Sequence, residues 1–141
     1  MAYKRNQTIS DAWEVNEEPG VYNLSDRLMD FSVNIIRVSR TFENSEAAQH
    51  ISNQLLRAGT SPMANHAEAQ SAESKKDFIH KMKICLKELR ETERWLSLAR
   101  RVPLVQASDA VDKLLEENNQ LIRIFAKSIQ TAQANQQSHK R

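Results

Sequence analysis

Glycine occurs only at Gly20 and Gly59 in the 141 residues, and proline only at Pro19, Pro62 and Pro103. Such a chain has no Gly-rich loop to cradle a phosphate and few hairpin-turn signals, which predicts an all-α fold. Cysteine occurs once, at Cys85, so no internal disulfide can form. No apolar run approaches the ~18 residues that a membrane span needs. Residues 1–20 contain no apolar signal-peptide core, so export is not expected. These absences predict a single-domain cytoplasmic protein that does not enter a membrane.

Chemistry-bearing residues are also sparse. The four histidines are scattered and give no zinc spacing. A di-iron bundle would need Glu-x-x-His twice, and that motif is missing. Asp77-x-x-His80 is the nearest match and occurs once, while Glu46 and His50 stand alone. Cys85 falls in an apolar stripe, where a buried thiol is expected rather than a nucleophile. No catalytic residue, metal ligand or cofactor is predicted.

What the chain does contain is helical periodicity. Leu28, Phe31, Ile35, Val38 and Phe42 recur at steps of three and four, with Leu24 and Ile36 widening the stripe, and predict a first helix over about residues 25–42, with Ser25 as its cap. A second helix is predicted from near Glu46 toward Ser71, capped by Asn44 or Ser45, with Ile51, Leu55 and Ala58 inward. Pro62 removes a backbone donor within it, so a kink is expected there, with the Thr60 and Ser61 hydroxyls taking up freed carbonyls. The third helix opens at the capping pattern Ser74-Lys75-Lys76-Asp77 and runs to Pro103. Phe78, Met82, Cys85, Leu89, Thr92, Leu96 and Ala99 line its inner face. The fourth begins near Ser108-Asp109 and takes its core face from Val111, Leu114, Leu115, Leu121, Ile122, Phe125 and Ile129, with Asn118 on the same side.

Four amphipathic helices with short links predict an antiparallel up-down-up-down four-helix bundle with a Pro-kinked second helix. The bundle should span residues 21–132, after a flexible arm at 1–20 and before a disordered polar tail at 133–141.

Charge is unevenly spread. The whole chain carries a formal +2, too little to announce nucleic-acid binding. In residues 1–20, Lys4 and Arg5 stand against Asp11, Glu14, Glu17 and Glu18, a net of −2. In residues 75–101, nine Lys or Arg stand against Asp77, Glu88, Glu91 and Glu93, a net of +5. Lys76, Lys83, Lys87, Arg90 and Arg94 fall on one side of the third helix, opposite its apolar stripe, with His80 among them. Such a stripe is first a solvated face with helix ion pairs, and next a contact surface for RNA or DNA. A second group comes from folding the second and third helices back on each other near Glu73. Arg57, Asn65, Glu68, Glu88 and Glu91 then become candidates for a structural polar network that fixes register or a subunit contact.

Several stretches together carry a resemblance. They are Gln54-Leu55-Leu56-Arg57-Ala58-Gly59-Thr60-Ser61, Ala64-Asn65, Glu68-Ala69, Asp77-Phe78-Ile79, Leu86-Lys87-Glu88, Glu91 and Trp95-Leu96. With outlying matches at Arg27–Phe31 and Glu117–Ile129, the chain resembles the bacterial ribosomal intervening-sequence proteins over residues 24–132. Some members are encoded in insertions within large-subunit ribosomal RNA genes. His66 stands where an aromatic or aliphatic residue is common, and Pro62 where small residues are common. The resemblance implies a non-enzymatic homo-oligomer, typically a pentamer. A weaker likeness, at the level of fold, is to the accessory variability determinant of diversity-generating retroelements, which partners a reverse transcriptase and its RNA. The two readings are therefore a homo-oligomeric bundle with a basic nucleic-acid surface, and an accessory subunit of a reverse transcriptase. An enzyme or metal carrier ranks below both.

Overall fold

The computed structural model describes residues 23–106 and 108–138. The expected arm at residues 1–20 lies outside them. The described chain forms α1 (Leu24–Ser39), α2 (Glu46–Gln70), α3 (Lys75–Arg101) and α4 (Ser108–Ser138).

Three helix starts share one mechanism. A side-chain oxygen just before the helix takes up an otherwise orphaned backbone N–H of the first turn. Ser45 Oγ accepts from the Ala48 N–H at 3.1 Å, and Ser74 Oγ from the Asp77 N–H at 3.0 Å. At α1 the cap is Asn23, whose Oδ1 accepts from the Asp26 N–H at 2.9 Å. Ser25 was the expected cap. It is instead inside the first turn, where its hydroxyl donates to Gln70 Oε1 at 3.2 Å.

The end of α1 also differs from its periodicity. Ser39 Oγ donates to the Ile36 carbonyl and Thr41 Oγ1 to the Val38 carbonyl, both at 2.7 Å. These hydroxyls serve the last-turn carbonyls, and the chain leaves the helix before Phe42. Phe42 then forms an isolated antiparallel bridge with Val105, and the Glu43 N–H donates to the Leu104 carbonyl at 2.9 Å. The α1–α2 and α3–α4 connections are thereby tied together at one end of the bundle.

Consecutive helices pack against each other, and α4 closes back on α1. The helices α1 and α4 make the smallest of these seams. Phe31, Phe78 and Phe125 are fully buried, along with Leu28, Ile35, Leu55, Met82, Leu89, Leu96 and Leu121. Removing such side chains from water, at ~25 cal/mol per Å² of apolar surface, is the main stabilising term. A smaller cluster of Ala48, Ile51, Ala99 and Leu104, flanked by Phe42 and Trp95, seals the clasped end.

The seam between α1 and α2 depends on Gly59. A Cβ built there would lie 2.8 Å from three side-chain carbons of Ile35. Helix α2 runs without a break through the buried Pro62. The proline leaves the Ala58 carbonyl without its helical donor. Thr60 Oγ1 donates to the Leu56 carbonyl at 2.7 Å, while Ser61 Oγ accepts from Asn65 Nδ2 at 2.9 Å.

At the other end, α4 continues to Ser138, whereas the sequence pattern placed a disordered tail from residue 133. Ala132 is buried in the core, and the Gln and Ala residues beyond it favour helix. Residues 139–141 lie outside the described chain.

Candidate nucleic-acid interface

Helix α3 buries one stripe and exposes the opposite one. Phe78, Met82, Cys85, Leu89, Thr92, Leu96 and Ala99 are buried. Lys76, Lys83, Lys87, Arg90 and Arg94 are all exposed, as is His80. At 100° per residue, the five cations fall within a band roughly 60° wide, and no carboxylate of the helix shares it. None of the five makes an ion pair with a described residue. The helix ion pairs expected along this stripe do not form, because Glu91 turns the other way, toward α2.

Arg101 extends the band, seven residues beyond Arg94, and it is exposed too. The sequence reading stopped at Arg94, although the seven-residue step was there to be followed. At the opposite end, Lys75 and Lys76 sit in the first turn of α3, where the helix dipole disfavours cations by about 0.3–1 kcal/mol. Folding alone gives no reason to put them there.

The five residues of the expected polar network divide into separate groups. Arg57 Nη2 donates to Gln54 Oε1 at 2.9 Å and reaches Glu91 Oε1 at 3.5 Å. Trp95 Nε1 donates to the same Glu91 oxygen at 3.3 Å. Glu88 stands beside them, with its Oε2 shut off from solvent and without a hydrogen-bond partner. Burial, and behind it the neighbouring Glu91 carboxylate, pushes the Glu88 pKa above the ordinary 4.5, against the opposing pull of Arg57 and Lys87. Glu68 lies apart and pairs with Lys81 at 2.9 Å. Asn65 bonds back within its own helix, to the Ser61 carbonyl at 3.1 Å. Arg57, Glu88 and Glu91 are thus brought together, and Asn65 and Glu68 are not among them. The Arg57–Glu91 pair is largely solvated, with Arg57 63% exposed, and such pairs contribute little stability.

Other cations are already engaged. Arg27 pairs with Glu117 across the α1–α4 seam, and Arg100 with Asp112 at 3.0 Å. Cys85 is buried, and desolvation pushes its thiol up to about 12, so it stays protonated near neutral pH. Among the described residues, no three His, Cys, Asp or Glu side chains gather as a metal-holding group. None of the described helices is long and apolar enough to cross a membrane.

A family model described as "23S rRNA-intervening sequence protein" matches residues 22–127. The chain belongs to that family. No curated protein matches it. Among solved structures, it is similar to a protein of unknown function from the S23 ribosomal protein family of Bacteroides thetaiotaomicron VPI-5482. The identity is 32%, the match covers 76% of this chain and 98% of that one, and the TM-score is 0.70.

Within this intervening-sequence protein, the unusual His66 occupies a core position and is 1% exposed. Its ring meets Phe125 edge-on, with centroids 6.0 Å apart, and its Nδ1 lies 3.4 Å from Ser25 Oγ. The imidazole fills the space of an aromatic while binding the hydroxyl that α1 does not use as a cap.

Proposed function

We propose that this intervening-sequence family member is a non-enzymatic homo-oligomer, a pentamer, that works in the cytoplasm and binds nucleic acid through the outer face of α3. One observation carries the reading: the five cations Lys76, Lys83, Lys87, Arg90 and Arg94 share one exposed band and make no ion pair with a described residue. A solvated face that served only folding would gain from interleaved carboxylates. This band has cations alone, the pattern that meets a polyanion. Repetition of the band around a ring would turn weak single sites into avid binding.

The reading is tested by light scattering on the full chain, with and without structured RNA, at low and moderate salt. The expected mass is near five times 16.2 kDa, with a further increase on adding RNA at low salt that moderate salt abolishes. A monomer indifferent to RNA would refute both the assembly and the binding.

A further inference from the structure

Resting on that reading, we infer that the ligand of the α3 band is double-stranded nucleic acid, held by its phosphates without regard to sequence, and not a single strand. The band runs along one continuous helix. From Lys76 to Arg101 it spans roughly 37 Å at ~1.5 Å per residue. At ~3.4 Å per base pair, that length covers about one turn of a duplex. A duplex already holds its phosphates in a fixed array, so meeting a fixed row of cations costs it little order.

A single strand would have to be straightened to follow the row. Proteins that bind single strands offset such a cost by stacking bases on aromatic rings along a groove. Here no Phe, Tyr or Trp among the described residues is exposed, and beside the band stands only the single ring of His80, too little for a row of stacked bases. Phe31, Phe78 and Phe125 are in the core, and Phe42 is half-buried. Trp95 is half-buried as well, with its N–H given to Glu91 and its ring against His50 at 6.3 Å. The band also lies on the convex outer side of a helix, which offers a strand no channel.

The band is suited to phosphates rather than to base edges: Lys and Arg are its only members, with no Asn, Gln, Asp or Glu to pair with adenine or cytosine. A helix that reads bases enters a major groove about 12 Å wide. Helix α3 packs against α2 and α4, so only its outer ridge is free to approach a groove. Lysine and arginine side chains along that ridge meet phosphates, contacts that position a duplex and carry no sequence information.

The experiment measures fluorescence anisotropy of the full-length protein with three labelled probes. They are a mixed-sequence DNA duplex of about 20 base pairs, longer than the band at ~3.4 Å per pair, the matching RNA duplex, and an unstructured oligo-dT of the same length. At least one duplex is expected to bind about tenfold or more tightly than the strand, and to do so equally after its sequence is scrambled. The tighter of the two duplexes identifies the source, and either result supports the inference. In the double variant Lys83→Gln/Arg90→Gln, the slope of log K against log salt for the duplex should fall by roughly two. Circular dichroism confirms that the variant is folded. Oligo-dT binding as tightly as both duplexes would overturn the inference while leaving the nucleic-acid reading intact. A slope unchanged in the variant would move the duplex off this band and overturn the inference too. No binding to any probe at low salt would remove both.

Discussion

Glu88 shows how one side chain can work against its surroundings. Its pKa is raised by burial first and by Glu91 second, so the folded protein holds that proton more tightly than the unfolded chain does. For a carboxyl group the sign follows directly. The stabilising contribution is present at acid pH and is lost as pH rises above the ordinary value of 4.5 and through the folded pKa. Glu88→Gln is therefore expected to raise the melting temperature at neutral pH and to flatten the decline in stability above pH 4.5, as followed by thermal denaturation across a pH series. A variant less stable than the parent at neutral pH would contradict that assignment. Gly59 gives the opposite lesson about helix propensity. Alanine favours helix over glycine by ~1 kcal/mol, yet its methyl group would meet the fully buried, β-branched Ile35 at 2.8 Å. Overpacking of this kind costs about 1–3 kcal/mol, so Gly59→Ala should lower stability, read from the denaturant midpoint.

At the level of elements, the sequence made the helices legible and left their ends and pairings less so. The inner face of α3 was readable because Phe78 through Ala99 keep a helical step without interruption. The start of α1 was misplaced because Asn23 and Ser25 are both good caps, and only packing against Gln70 decides which one is free to act. The end of α4 was set too early because a polar composition reads as a tail until Ala132 is seen to be anchored in the core. The exposed basic band of α3 was visible in spacing alone, whereas the freedom of its cations from ion pairs needed coordinates. Pairing near Glu73 brought Arg57 to Glu91, but the same symmetry gave no hint that Asn65 would satisfy itself within its own turn. Because Lys83 and Arg94 are exposed and make no ion pair with a described residue, Lys83→Gln and Arg94→Gln should each leave the melting transition within about 0.5 kcal/mol of the parent. A large loss in either would mean that the band is part of the scaffold.

For the molecule as a whole, the proposed function falls on a surface that stability does not use. The stabilising contacts run inward from all four helices, and the charge imbalance lies outward on one of them. A four-helix scaffold of this kind can change what it meets without repacking what holds it up. The inner face of α3 is committed to the core through Phe78, Met82, Leu89 and Leu96, while its cationic outer face is exposed.

The bridge between Phe42 and Val105 gives the bundle a direction. Both long connections are fastened to each other at one end, where the Glu43 amide is held by Leu104. The opposite end holds the start of α1 beside Gln70, the tight link between α2 and α3, and the last turns of α4. Fraying starts where chain ends and short links meet water, and it is slowest where loops are tied. Thermal opening of this bundle is therefore polarised, like a peg that parts at its tips while its spring stays closed.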